Sequence, residues 1–85
     1  MEGNMKQQTF IAYIEDGNGK MMDFERFSCK RAETVRKNMT ALFQNDLYRA
    51  CTKGAVSFAI YATPDGYHRE DEPSGRYTTD GEKIA

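Results

Sequence analysis

The chain has one histidine, two cysteines and two prolines in 85 residues. These shortages remove most enzyme chemistries before any element is placed. A catalytic or metal-binding histidine needs a nucleophile, a base or further ligands beside it. His68 stands instead at the start of a polar stretch, where Glu70, Asp71 and Glu72 are its nearest carboxylates and nothing preorganises them. Cys29 and Cys51 lack CxxC spacing, and residues 1–10 carry no secretory leader pattern. The expectation is therefore two free thiols in a reducing cytoplasm. Cys29 precedes a helical stretch and neighbours Lys30 and Arg31, which would favour a thiolate. A thiol nucleophile also needs a base in a protected cleft, and the sequence favours a small packed residue there. No zinc spacing is present. Asp16-Gly17-Asn18 has too few ligands for a calcium loop, and Gly17-Asn18-Gly19 lies between strands rather than before a phosphate-cradling helix. No apolar run approaches the ~20 residues of a membrane span. The chain is read as non-enzymatic, with no cofactor, no metal, no small-molecule substrate and no membrane contact.

What is present is one continuous pattern from Thr9 to Gly66. Residues 8–15 alternate, with Phe10, Ala12 and Ile14 on one face and Thr9, Ile11 and Tyr13 on the other. Asp16-Gly17-Asn18-Gly19 is a hairpin signal, because Gly and Asn accept the positive φ of tight turns. A second strand over 20–27 places Met22 and Phe24 together. Phe27 breaks their parity, which a bulge at Glu25–Arg26 would repair. Ala32, Val35, Met39, Leu42 and Phe43 form one helical stripe, with Ser28 as its N-cap. Asp46 caps a short further turn that ends at Gly54. Residues 55–62 form the third strand, closed by Thr63-Pro64-Asp65-Gly66. Tyr67-His68-Arg69 is the candidate for a fourth.

The fold class is α+β: a two-layer β-β-α-β(-β) sandwich. Its sheet has three strands, mainly antiparallel, in the order 2-1-3, and one amphipathic helix lies on one face. The order places the most apolar strand at the centre. The helix is expected to cover Phe10, Ala12, Ile14, Met22, Phe24, Val56, Phe58 and Ile60. Residues 1–7 are a flexible N-terminus, 8–69 the single domain, and 70–85 an acidic polar tail expected to be flexible. A domain this small is marginally stable, and self-association is one remedy.

Two surfaces carry functional expectations. Ile11, Tyr13, Met21 and Tyr61 form an apolar outer sheet face that calls for a protein partner, either a second copy or another chain. Tyr67 or Tyr77 of the tail could instead fold over it. The second surface follows from charge segregation. Residues 26–53 carry seven bases and two acids (+5), against −3 for residues 1–25 and −3 for residues 54–85, which together give the net −1. Lys30, Arg31, Arg36 and Lys37 lie off the apolar stripe and could contact phosphates. An aromatic platform of Tyr13 and Tyr61 could also stack on bases, but Asp23 and Glu25 on the same expected face oppose it. The first reading is a small protein-interaction module that self-associates through the outer face or an edge strand. A nucleic-acid-binding module using the basic helix is the alternative. A further alternative is a small accessory or inhibitor protein of a phage or mobile element acting through its acidic tail. No motif ties the chain to a family, and layout alone does not fix function.

Overall fold

The computed structural model describes residues 7–84. Apart from Gln7, the N-terminal segment 1–7 lies outside the described residues. The elements are β1 (Gln8–Asp16), β2 (Met21–Cys29), α1 (Ala32–Phe43), α2 (Asp46–Cys51), β3 (Ala55–Ala62) and β4 (Gly75–Thr78). They form an α+β fold with a fully antiparallel sheet in the order β2-β1-β3-β4. The sheet thus has four strands rather than three, and there are two helices rather than one.

The β1–β2 turn is held by the Asp16 carboxylate. Its Oδ1 accepts from the N–H of Asn18 at 2.8 Å and of Lys20 at 3.0 Å. Those bonds, Lys20's first, hold the Asp16 pKa below its ordinary value. Gly19 takes φ 79°, a conformation that side chains resist.

The core is a single dry layer between sheet and helix. Phe10, Ala12 and Ile14 of β1 and Phe58 and Ile60 of β3 meet Val35, Met39 and Phe43 of α1. Phe43 stacks on Phe58 at 6.0 Å between centroids, and Tyr77 of β4 lies 5.5 Å from the same ring.

Strand β2 departs from expectation. Tyr13 lies opposite Phe24, Ala12 opposite Glu25 and Phe10 opposite Phe27. Directly opposed residues share a face, so Phe27 and Glu25 point toward the helices while Phe24 and Arg26 point away. The expected bulge at Glu25–Arg26 is absent. The irregularity sits beside the turn, where Ile14 pairs Asp23 but Glu15 pairs Met21. A single extra residue inverts every side chain beyond it. Met22, Phe24 and Val56, expected beneath the helix, are 39%, 44% and 49% exposed.

The helix ends also differ from expectation. Ser28 is a β2 residue opposite Thr9, and Arg31 occupies the α1 N-cap position without a capping side-chain bond. Asn45, not Asp46, caps α2, its side chain accepting from the Tyr48 N–H at 3.0 Å.

The fourth strand comes from residues 75–78, not 67–69, and so from the segment set apart as a tail. Gly75 is needed there, because a Cβ would stand 2.5 Å from the Tyr77 hydroxyl. Beyond β4 the chain turns back. Thr78 N–H donates to the Glu82 carbonyl and Ile84 N–H to the Arg76 carbonyl, both at 2.8 Å. Among the described residues, no helix is long and apolar enough to cross a membrane.

The two phenylalanines that the sequence places on one face should separate in unfolding experiments. Phe58→Ala removes a fully buried ring and is expected to cost about 3–5 kcal/mol. Phe24→Ala, on the open face, is expected to cost less than about 1 kcal/mol. Urea denaturation of both variants checks the pair, and equal losses would return Phe24 to the core.

Candidate functional site

Both helices pack on one side of the sheet. The other side is formed by Ile11 and Tyr13 of β1, Phe24 and Arg26 of β2, Ala59 and Tyr61 of β3, and Arg76 of β4, all of which alternate away from the core. Ile11, Ala59 and Tyr61 are buried in a second small apolar cluster with Tyr13 packed against it. The Tyr13 ring meets Tyr61 edge-on at 5.4 Å and Phe24 at 6.5 Å.

This face is capped by an arginine. The Arg69 guanidinium lies 4.3 Å from the Tyr61 ring centroid and 5.7 Å from that of Tyr13. Tyr67, at 82% exposure, covers nothing, and Tyr77 lies on the helix side. A cap from the 67–77 stretch is present, but a cation supplies it. A cation over a tyrosine face is attracted by the ring quadrupole while its alkyl stem shields apolar surface.

The preceding turn aims Arg69. Asp65 Oδ1 accepts from the N–H of Tyr67 at 2.8 Å and of His68 at 2.7 Å, and Oδ2 lies 2.7 Å from His68 Nδ1. The His68 N–H bond, then the His68 ring and the Tyr67 N–H, hold the Asp65 carboxyl well below the usual carboxylate range. His68 is thus a turn-forming residue. Among the described residues, no three His, Cys, Asp or Glu side chains gather as a metal site. The Glu70 N–H then donates to the Ala62 carbonyl at 2.9 Å, fixing the far side of the loop.

Tyr13, Glu15, Gly19, Met21, Tyr61 and Arg69 line a hollow of about 300 Å³. Three of the four residues singled out by sequence for this face, Tyr13, Met21 and Tyr61, meet there, with Ile11 buried beside them. Sequence reasoning missed four others. Phe24 was obscured by the misplaced bulge. Arg69 and the Glu15–Arg76 pair, Nη1 to Oε1 at 2.9 Å, have no periodic signal because loop and β4 bring them together. Arg76 also reaches the Tyr61 hydroxyl at 3.4 Å.

Lys30 and Arg31 lie in the β2–α1 connection, and the Arg31 carbonyl accepts from Cys29 Sγ at 3.3 Å. Arg36 is engaged by Glu33, Nε to Oε1 at 2.9 Å, and donates to the Gly81 carbonyl at 3.3 Å. The Glu33 bond raises the Arg36 pKa. Lys37 is exposed on α1.

A second concavity, about 630 Å³, lies on the helix side between Phe27, Leu42, Leu47, Tyr48 and Cys51, and its lining holds no charged group. Tyr48 donates to Glu25 at 2.9 Å, and burial, reinforced by that carboxylate, raises its phenol pKa. Comparison with protein-family models, with curated proteins and with solved structures finds no match.

The Asp65 turn makes a signed prediction. A carboxylate with a depressed folded pKa stabilises the fold fully above its unfolded value, about 3.9. That contribution is lost as pH falls through the folded value. Asp65 is expected to stay ionised in a carboxyl-carbon NMR titration when ordinary aspartates have protonated. In Asp65→Asn, the Tyr67 and His68 amides should exchange with solvent faster than in the parent at neutral pH. Protonation of Asp65 alongside the ordinary aspartates would contradict the turn geometry.

Proposed function

We propose that this protein is a non-catalytic protein-binding module that docks a different chain on its outer sheet face. One observation carries the reading: a sheet with helices on one side only leaves Tyr13, Met21 and Tyr61 beside Arg69 around an open hollow, with Phe24 exposed next to Tyr13. Aromatic, methionine and arginine side chains are those enriched in the energetic centres of protein interfaces.

Charge favours another protein over a second copy. The outer face carries Arg26, Arg69 and Arg76 against Glu15, with Glu70, Asp71 and Glu72 in the segment beside it. Pairing through the open β2 edge opposes like charges in three of its registers. A two-fold centred on Phe24 sets Asp23 against Glu25, one centred on Glu25 sets Glu25 against itself, and one centred on Arg26 sets Arg26 against itself. Like charges directly opposed destabilise a strand pair, and charges on an edge strand guard against edge pairing.

The nucleic-acid alternative gains one point and loses two. Asp23 and Glu25 do not share the aromatic face. Arg69, however, lies over the Tyr61 ring and the tyrosines meet edge-on, so Tyr13 and Tyr61 do not form a flat platform. Glu70, Asp71 and Glu72 follow Arg69 and repel phosphates. The inhibitor reading through an acidic tail is weakened because residues 75–78 are part of the sheet. The free thiols Cys29 and Cys51 support a reducing, cytoplasmic setting.

A photo-crosslinking residue at position 24, compared with one at Val56 on the helix side, tests the reading in cells expressing the protein. Position 24 is expected to capture a discrete partner that position 56 does not, and Tyr13→Ala should abolish the capture. Light scattering at high micromolar concentration is expected to show a monomer. A dimer dispersed by Tyr13→Ala would replace the other-chain reading with self-association.

A further inference from the structure

We infer that the outer-face hollow is a carboxylate pocket, in which Arg69 receives an aspartate or glutamate side chain from an extended segment of the partner. The inference rests on the protein-binding reading and names the chemistry of the partner.

The hollow is lined by one acid and one cation. Its acid, Glu15, is already paired with Arg76 at 2.9 Å. Its cation, Arg69, has no carboxylate within ion-pair distance among the described residues. Only Nη1 of Arg69 is engaged, by its own chain's Glu70 carbonyl at 3.0 Å and more weakly by the Asp71 carbonyl at 3.5 Å. The Nε and Nη2 donors have no partner among the described residues.

The unengaged Nε and Nη2 carry parallel N–H groups side by side in the guanidinium plane. That fork matches the two oxygens of a carboxylate. Contact of the guanidinium with the Tyr61 ring, with the backbone pinned by the Asp65 turn and the Glu70–Ala62 bond, holds the fork in place and lowers the ordering cost of binding. Met21 and the edge of Tyr13 give the residue next to the acid an apolar wall.

Size and surrounding charge select among anions. A hollow of about 300 Å³ lies at the bottom of the ~300–1,000 Å³ range of small-molecule sites, so it suits a side chain rather than a large ligand. Glu15 inside the hollow and Glu70, Asp71 and Glu72 in the adjoining segment oppose a doubly charged phosphate more than a singly charged carboxylate. In the free protein an exposed pairing would gain little. When a docked segment excludes water, the same pairing strengthens.

Random linear peptides, displayed with both ends fused, are the probe. They are selected on the full chain and on Arg69→Glu, with Tyr13→Ala as the face-defective control and circular dichroism confirming that each variant folds. On the parent, the enriched peptides are expected to share an Asp or Glu at one fixed position beside an apolar residue. They should bind at least about tenfold more weakly to Arg69→Ala, the loss expected for charge-assisted hydrogen bonds. Arg69→Lys should restore only part of that loss, and Arg69→Glu should enrich Lys or Arg at the same position. Binders that need Tyr13 but share no acid and tolerate Arg69→Glu would overturn the carboxylate pocket and leave the protein-binding face standing. The absence of any Tyr13-dependent binder would overturn both.

Discussion

The position of one extra residue in the β1–β2 hairpin decides what each face of this small sheet can do. Placed beside the turn, it lets β2 run in unbroken register from Asp23 to Cys29, with Phe24 opposite Tyr13 and Phe27 opposite Phe10. Four residues further on, it would have buried Phe24 and exposed the Asp23 and Glu25 carboxylates beside Tyr13. The same composition would then have presented an acidic, weakly apolar outer face. Because strand side chains alternate with a period of two, no intermediate arrangement exists.

The remaining architecture follows from how little chain there is to bury. A sheet with helices on only one side buries only one of its faces against them, and here the core residues of β1, β3 and α1 use that face. The other face is covered only locally, by a side chain rather than an element. Arg69 lies over Tyr61, and Arg76 joins Glu15 at the rim. Both arginines belong to the chain after β3, which also supplies β4 and the Gly81 loop held by Arg36. The polar C-terminal stretch therefore has two structural tasks. It completes the sheet edge through backbone bonds, and it shields the second apolar cluster with cation–ring contacts. Apart from Tyr77, which packs against Phe58, these tasks need no apolar side chains, so the composition of the stretch resembles that of a flexible tail.

Much of the fold was legible because it rests on apolar periodicity. The hairpin glycines, the stripe through Val35 and Met39, and the alternation of Phe10, Ala12 and Ile14 all report burial directly. Three features were not legible, each for a physical reason. The bulge was misplaced because Phe27 must be buried and Phe24 has equal hydrophobicity, so parity alone could not say which of them faced the helix. Strand β4 was missed because Tyr77 is its one core-packed side chain, while Gly75, Arg76 and Thr78 give no apolar alternation. Arg69 was missed because a cation stacked on a ring leaves no mark in hydropathy. The site divided in the same way. Its aromatic floor of Tyr13 and Tyr61 could be read from alternation, while its charged groups arrive through loop geometry.

The account depends on Phe24 and Tyr13 sharing a face away from α1. The most direct measurement is a proton–proton NOE map of the aromatic rings in the folded protein. Contacts from the Phe24 ring to Tyr13, with contacts from Phe27 and Phe58 to the α1 side chains, are the predicted result. Contacts from Phe24 to Val35 or Met39, with Phe27 turned toward Tyr13, would contradict it and remove the outer-face site.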